Sequence, residues 1–189
     1  MRIVTTVLAL LLFAVPLSGT SAIAQSTMAQ KQADELDKLF AQLRDPNAGS
    51  LVAPIDVKIW ALWLHQGTEL ENQQLEAATN AMGRGEFPQA LEQLNQLVAV
   101  APLYPEAWNK RATLLFMLGR YDESLADIVK TLDLEPRHFG ALSGRGMIYQ
   151  KQGKIADALA AFKEVLVINP NSVSAKLSVQ QLEKLSPEL

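Results

Sequence analysis

The stretch Pro105 to Pro136, PEAWNKRATLLFMLGRYDESLADIVKTLDLEP, decides the fold. Its first half spaces Trp108, Ala112 and Leu115 four and three residues apart, one face of a helix. Gly119 interrupts that run, and glycine takes the positive φ needed to leave a helix. Tyr121 stands in the turn. Ser124, Leu125, Ile128, Thr131 and Leu132 then share a face of a second helix, which Pro136 ends. The stretch reads as two helices back to back, with Trp108 expected in the core between neighbouring units.

The same pattern recurs 34 residues to either side: Gly85, Gly119 and Gly153 align, as do Pro102, Pro136 and Pro170. Phe87, Tyr121 and Ile155 occupy the turn, and Leu94, Ile128 and Phe162 the second helix. This resembles the tetratricopeptide repeat (TPR) family, whose period is 34 residues and whose pattern runs Trp, Gly, Tyr, Ala, Phe, Pro. The middle copy has Trp108, Ala112, Leu115, Gly119, Tyr121, Ser124, Thr131 and Pro136 at the marked places. The third has Leu142, Gly146, Tyr149, Gly153, Ala158, Phe162, Val165 and Pro170. The first has Gln74, Ala78, Ala81, Gly85, Ala90, Leu94, Leu97 and Pro102. The resemblance implies an all-α fold, a right-handed superhelical stack of helix-turn-helix units (an α-solenoid), with repeats at 71–104, 105–138 and 139–172. Its functional implication is partner binding.

Outward from the repeats, the chain is less regular. Residues 1–24 have the layout of a cleavable secretory signal: Arg2, an apolar run from Ile3 to Leu17, then Ala22-Ile23-Ala24 ahead of Gln25. The run is short of the roughly 20 apolar residues of a spanning helix, so no stable membrane anchor is expected after cleavage. The short charged region and the Ala-rich site lean toward bacterial export to the periplasm. Ser26 to Gln32 is polar and reads as frayed. Leu36, Leu39, Phe40 and Leu43 then mark an amphipathic helix. A helix from about Asp56 to His65 carries Val57, Ile59, Trp60, Trp63 and Leu64. Subtracting 34 from Leu94, Leu97 and Val98 gives Trp60, Trp63 and Leu64, so residues 25–67 are expected to form a helical pair that stacks as a degenerate zeroth repeat. The two tryptophans fall where a repeat has its core, although a ligand-stacking role is the alternative. Residues 173–189 supply a capping C-terminal helix and tail.

Of the 189 residues, 49% are apolar, the formal net charge is −3 and cysteine is absent. An acidic balance this small excludes nucleic acid as an expected partner. Without cysteine there is no disulfide, thiol chemistry or lipid-modified N-terminal Cys. No nucleophile, zinc or nucleotide motif occurs, and His65 and His138 lack a third ligand at metal spacing. No cofactor is expected, and no enzymatic activity. Gly144-Arg145-Gly146 inside a helix reads as close helix packing. Arg111 and Arg145 stand where the family is usually apolar, so Asp127 is expected to pair with one or both, an anion-binding arginine being the alternative.

In the family the first helix of each repeat lines a concave surface. Carried over by position, the candidate partner-binding residues are Asn72, Thr79, Met82, Asn109, Thr113, Phe116, Met117, Met147, Gln150 and Lys151. The family's carboxylate-gripping version uses Lys and Asn on the first repeat, Asn on the second, Lys and Arg on the third. Here those places hold Leu75, Thr79, Lys110, Gly140 and Gly144, so recognition of a chaperone tail is not expected. What remains is uncharged and rich in methionine, which adapts to varied apolar partners; the helical spacing suits packing equally well. The leading expectation is a periplasmic scaffold that binds a segment of a protein or peptide partner. A homo-oligomeric structural protein and an accessory subunit of a cell-envelope complex are the alternatives.

Overall fold

The computed structural model describes residues 18–45 and 47–185, so most of the expected signal segment lies outside the described residues. The described chain is helical: α1 (Ser18–Leu43), α2 (Val52–Leu64), α3 (Glu69–Gly83), α4 (Phe87–Val100), α5 (Pro105–Met117), α6 (Tyr121–Leu134), α7 (Phe139–Lys151), α8 (Ile155–Ile168) and α9 (Val173–Leu185). None of these helices is long and apolar enough to cross a membrane.

The repeat period is written into the backbone. Gly85, Gly119 and Gly153 all adopt a left-handed φ, at 77°, 73° and 72°. Each lets the chain close the same paired turn: Glu86, Arg120 and Lys154 donate their N–H to the carbonyls of Ala81, Leu115 and Tyr149, at 2.9 Å in every case. This satisfies carbonyls that a helix end would otherwise orphan. The turns between repeats also recur: Tyr104, His138 and Ser172 donate to Ala101, Glu135 and Asn169 at 3.0–3.1 Å. Small residues let paired helices approach. Ala90, Ser124 and Ala158 are buried, and a Cβ on Gly146 would lie 2.8 Å from the Phe162 ring. The Ser124 hydroxyl is satisfied by donating to the Ala112 carbonyl at 2.7 Å. The start of α3 carries a reciprocal cap, with Thr68 accepting from the Glu71 N–H and Glu71 accepting from the Thr68 N–H.

One expectation about a side chain changes and another is narrowed. Trp108 is half-buried rather than central to the core; its indole N–H donates to the Pro102 carbonyl at 2.9 Å and the Arg111 guanidinium lies 4.9 Å over its ring. Arg111 grips Asp127 with two hydrogen bonds of 2.7 and 2.8 Å, as expected. Arg145 does not share that carboxylate. One period beyond Asp127 stands Ala161, so Arg145 reaches the next turn and binds Glu164 at 2.6 Å.

The N-terminal pair departs most. α1 is longer than its amphipathic stripe and runs through the segment expected to fray. Ala22, Ala24, Ala29, Ala33 and the glutamines between are good helix formers with no proline or glycine among them. Nor does the pair extend the stack. α3 presents exposed Gln74 where later repeats have Trp108 and Leu142, and so offers a stacked helix no apolar side chain at that place. Instead Leu36, Leu39, Phe40, Leu43, Ile55, Ile59 and Trp63 form one core with Phe139, Leu142, Val165 and Ala175 of the third repeat and α9. α2 thus runs along the edge where the inter-repeat turns lead into α5, α7 and α9. Asp56 accepts from Asn169 (3.2 Å) at its beginning, and the Tyr104 hydroxyl donates to the Leu64 carbonyl (2.6 Å) at its end. Asn171 ties in the preceding helix through the Leu43 carbonyl at 3.2 Å.

Candidate protein-binding groove

Helices α3, α5 and α7 supply the ten candidate residues, and α2 divides them. At the edge beneath α2, polar side chains are committed to the fold. Asn72 accepts from the Gly67 N–H and donates to the Gly67 carbonyl, both at 3.1 Å. It also lies 3.0 Å from the Tyr104 hydroxyl. Burial, and then the carboxylates of Glu106 and Glu71, push that hydroxyl far above the ordinary tyrosine range, so it acts as a donor. Asn109 is buried and donates to Glu106 Oε2 at 2.9 Å.

Glu106 is the centre of this covered part. It is fully buried, yet one oxygen also meets His138 Nε2 at 2.9 Å and the other has Lys110 Nζ at 3.3 Å. His138 Nδ1 accepts the Ala141 N–H at 3.1 Å. That bond places the ring proton on Nε2, where it is donated to Glu106. Trp63 stacks on the imidazole at 4.0 Å and an interplanar angle of 12°. Trp60 covers the next turn: a Cβ on Gly140 would lie 2.5 Å from its Cη2, and Lys110 Nζ is 5.9 Å from its ring. The positions matching the family's clamp on the second and third repeats, Lys110 and Gly140, therefore face this chain's own tryptophan. Sequence spacing alone gives His138 no partner. Glu106 and His138 are 32 residues apart, and only the stacking of adjacent repeats brings their helix starts together.

Beyond α2 the inner face is open. Thr79 and Thr113 turn their hydroxyls back to the carbonyls of Leu75 and Asn109, at 2.8 and 2.9 Å, and so spend their donors within their own helices. Met82 is half-buried on the core of the first repeat. Phe116 is half-buried and 5.7 Å from the Tyr121 ring, whereas Met117 and Met147 are 50% and 42% exposed. Gln150 is half-buried and Lys151 exposed. Two hollows flank this face. A cavity of about 430 Å³ lies between the end of α2 and α3, walled by Leu64, His65, Leu75, Glu76 and Thr79. A slot of about 60 Å³ opens between α5 and α7 and contains Thr113, Phe116, Gly144 and Met147. Phe116, rather than Met117, is the member of that neighbouring pair that reaches the slot. No cluster of three or more His, Cys, Asp or Glu side chains suited to a metal occurs among the described residues.

Paired helices repeated at a fixed interval, with one helix of each pair turned to a shared inner face, define a helical-repeat solenoid. The chain belongs to the tetratricopeptide repeat family. Family profiles match residues 75–131 and 140–172. A TPR repeat-containing protein of Rhizobium etli is 37% identical over 188 residues, covering 95% of this chain and 91% of that protein. The likeness therefore extends past the repeats into the N-terminal helices. DnaJ homolog subfamily C member 3 of Bos taurus is 32% identical over 110 residues, 58% of this chain but only 22% of its own length. Among solved structures, the first TPR domain of Spaghetti bound to the HSP90 peptide SRMEEVD superposes with a TM-score of 0.61 at 18% identity, over 65% of this chain and 97% of that one. At that identity the likeness speaks for the fold.

Proposed function

We propose that this chain is an exported, periplasmic, non-enzymatic scaffold that holds a segment of a partner protein on the open half of its inner face. The observation that carries the reading is the slot lined by Thr113, Phe116 and Met147, with Met117 exposed next to Phe116 on the same helix. Surface methionines on a firm helical frame suit adaptable apolar contacts. A TPR domain of like fold carries an HSP90 peptide, which supports a peptide as the occupant. The layout of residues 1–24 supports export. The test pairs address with binding. Protein recovered from a periplasmic fraction is expected to begin at Gln25, and an intact Met1 on cytoplasmic protein would refute the export. Met117→Glu is expected to melt within about 0.5 kcal/mol of wild type, as exposed substitutions do, and to lose the partner captured by wild type from an envelope extract. Unchanged capture by a folded Met117→Glu protein moves binding off this face.

A second reading, self-association, is favoured by α9, which exposes Val173, Leu177 and Leu185. Sedimentation at tens of micromolar separates the two, since a stable dimer supports self-association.

A further inference from the structure

Helix α7 contains three glycines within seven residues, Gly140, Gly144 and Gly146. Glycine inside a helix weakens it relative to alanine, so each calls for a physical reason. Two have one in the fold. A Cβ at Gly140 would strike Trp60 at 2.5 Å, and one at Gly146 would strike Phe162 at 2.8 Å. Gly144 has none. A Cβ there meets Ile128 Cδ1 at 3.5 Å, ordinary van der Waals contact, and nothing nearer. The fold would accept alanine at this position, yet the chain leaves it bare.

What the missing methyl leaves is the slot between α5 and α7. Ile128 of α6 lies at its floor, Thr113 and Phe116 on one wall, Gly140 and Gly144 on the other, with Met147 beside them. Its volume of about 60 Å³ is well under the roughly 150 Å³ of an apolar cavity that takes benzene, so it suits a few aliphatic carbons and no aromatic ring. Its charge environment is as informative. The nearby cations are already engaged, Lys110 by Glu106 and Arg145 by Glu164. The Thr113 hydroxyl is spent on Asn109. Ser124 and Asn109, which also line the slot, donate to the Ala112 carbonyl and to Glu106, so a carboxylate entering here would lose its hydration and meet no cation, whereas an aliphatic side chain gives up no hydrogen bond.

We infer that Gly144 is a specificity determinant: it keeps open a slot that receives a single aliphatic side chain, of about valine to leucine size, from an internal segment of the partner and not from a free C-terminus. This rests on the proposal that the inner face binds a peptide, and it names the chemistry of that peptide.

The experiment uses the full mature chain with its methionine and isoleucine methyls labelled for NMR. The probes are N-acetylated, C-amidated nonapeptides alike except for a central Ala, Val, Leu, Phe or Asp, together with SRMEEVD bearing its free carboxylate. The Val and Leu peptides are expected to shift the Met147 and Ile128 methyl signals, and the Asp peptide and SRMEEVD to leave them in place. Gly144→Ala is expected to melt at or above the wild-type temperature and to bind the Leu peptide about tenfold or more weakly, the scale set by overfilling a packed site. Should that variant melt early, Met147→Ala serves instead; it widens the same slot and is expected to move the preference toward Phe. Equal affinity of a stable Gly144→Ala protein for the Leu peptide would overturn the slot and leave the groove standing. Tighter binding of SRMEEVD than of any capped peptide would overturn it too. If no peptide moves either methyl while Met117→Glu still loses its captured partner, the slot is wrong and the groove reading survives. If both fail, the groove reading falls with it.

Discussion

The covered and open halves of the inner side are built from the same repeat positions and have opposite characters. Under α2, Glu106, Asn109, Lys110 and His138 spend their polar groups on one another, and Trp60 and Trp63 seal them from solvent. Beyond α2, Thr113, Phe116 and Met147 surround unfilled space. The difference teaches that the places of the family's clamp do more here than carry other residues, Leu75, Thr79, Lys110, Gly140 and Gly144. Part of the clamp's place is taken by a helix of the same chain, and the glycine at position 140 is what admits that helix.

The largest expected effect comes from breaking the covered half. Trp63 is fully buried in contact with Phe40, His138 and Phe139. Trp63→Ala should cost about 3–5 kcal/mol in a urea melt, a large part of a typical total of about 5–15 kcal/mol. A loss below about 1 kcal/mol would mean that α2 is not an integral part of the core. Gly140→Ala should come next, at about 1–3 kcal/mol, because the added methyl meets the Trp60 ring. The pair of glycines sharpens the comparison: alanine at 140 should destabilise and alanine at 144 should not. Equal melting of the two variants would erase the distinction between covered and open.

The smallest effect should come from Asp56. Burial raises its carboxyl above the ordinary range, against the lowering effect of the Asn169 hydrogen bond. A carboxyl whose folded pKa is raised binds its proton more readily folded than unfolded. Its contribution therefore favours the fold in acid and turns into a cost as pH rises through the folded pKa. Asp56→Asn keeps an oxygen for Asn169 and removes that cost. Thermal melts should put the variant slightly above wild type at neutral pH, with the gap closing toward pH 4, near the ordinary carboxylate range. A gap that widens in acid would reverse the sign of this argument.

Much of this fold is legible in the residues, and the reasons are local. Gly85, Gly119 and Gly153 need only their own turns to be read, and all three adopt the φ their spacing requires. Arg111 and Asp127 are also legible, since a charged residue at an apolar place asks for a partner on the next helix. Arg145 shows the limit: its partner is settled by Ala161 being unable to serve. The docking of α2 is less legible still. Spacing marks Ile59 and Trp63 as buried but is silent on which surface covers them, and the repeat register favoured a stacked unit. The decision rests on long-range complementarity, Gln74 on one side against Phe139 and Leu142 on the other. The slot at Gly144 was hidden for a related reason. Gly144 and Gly146 look alike in sequence, and only the distance to Phe162 or to Ile128 tells a packing glycine from a vacant one.

The hydrogen bonds from Asn169 to Asp56 and from Asn171 to the Leu43 carbonyl join residues 113 and 128 positions apart. An ordinary repeat array is quasi-one-dimensional, each unit touching only its neighbours, so it can melt from its ends inward. Here the first helices of the chain clasp the last repeat while α2 also reaches Tyr104, the last residue of the first. Unwinding the C-terminal end therefore strips the N-terminal helices of their core, and fraying from either end is coupled to the other. The array behaves as a closed loop rather than a string: it should lose its structure in one cooperative step, and fold more slowly than an open stack of the same size, because that distant contact has to form before the clasp repays the loss of chain freedom.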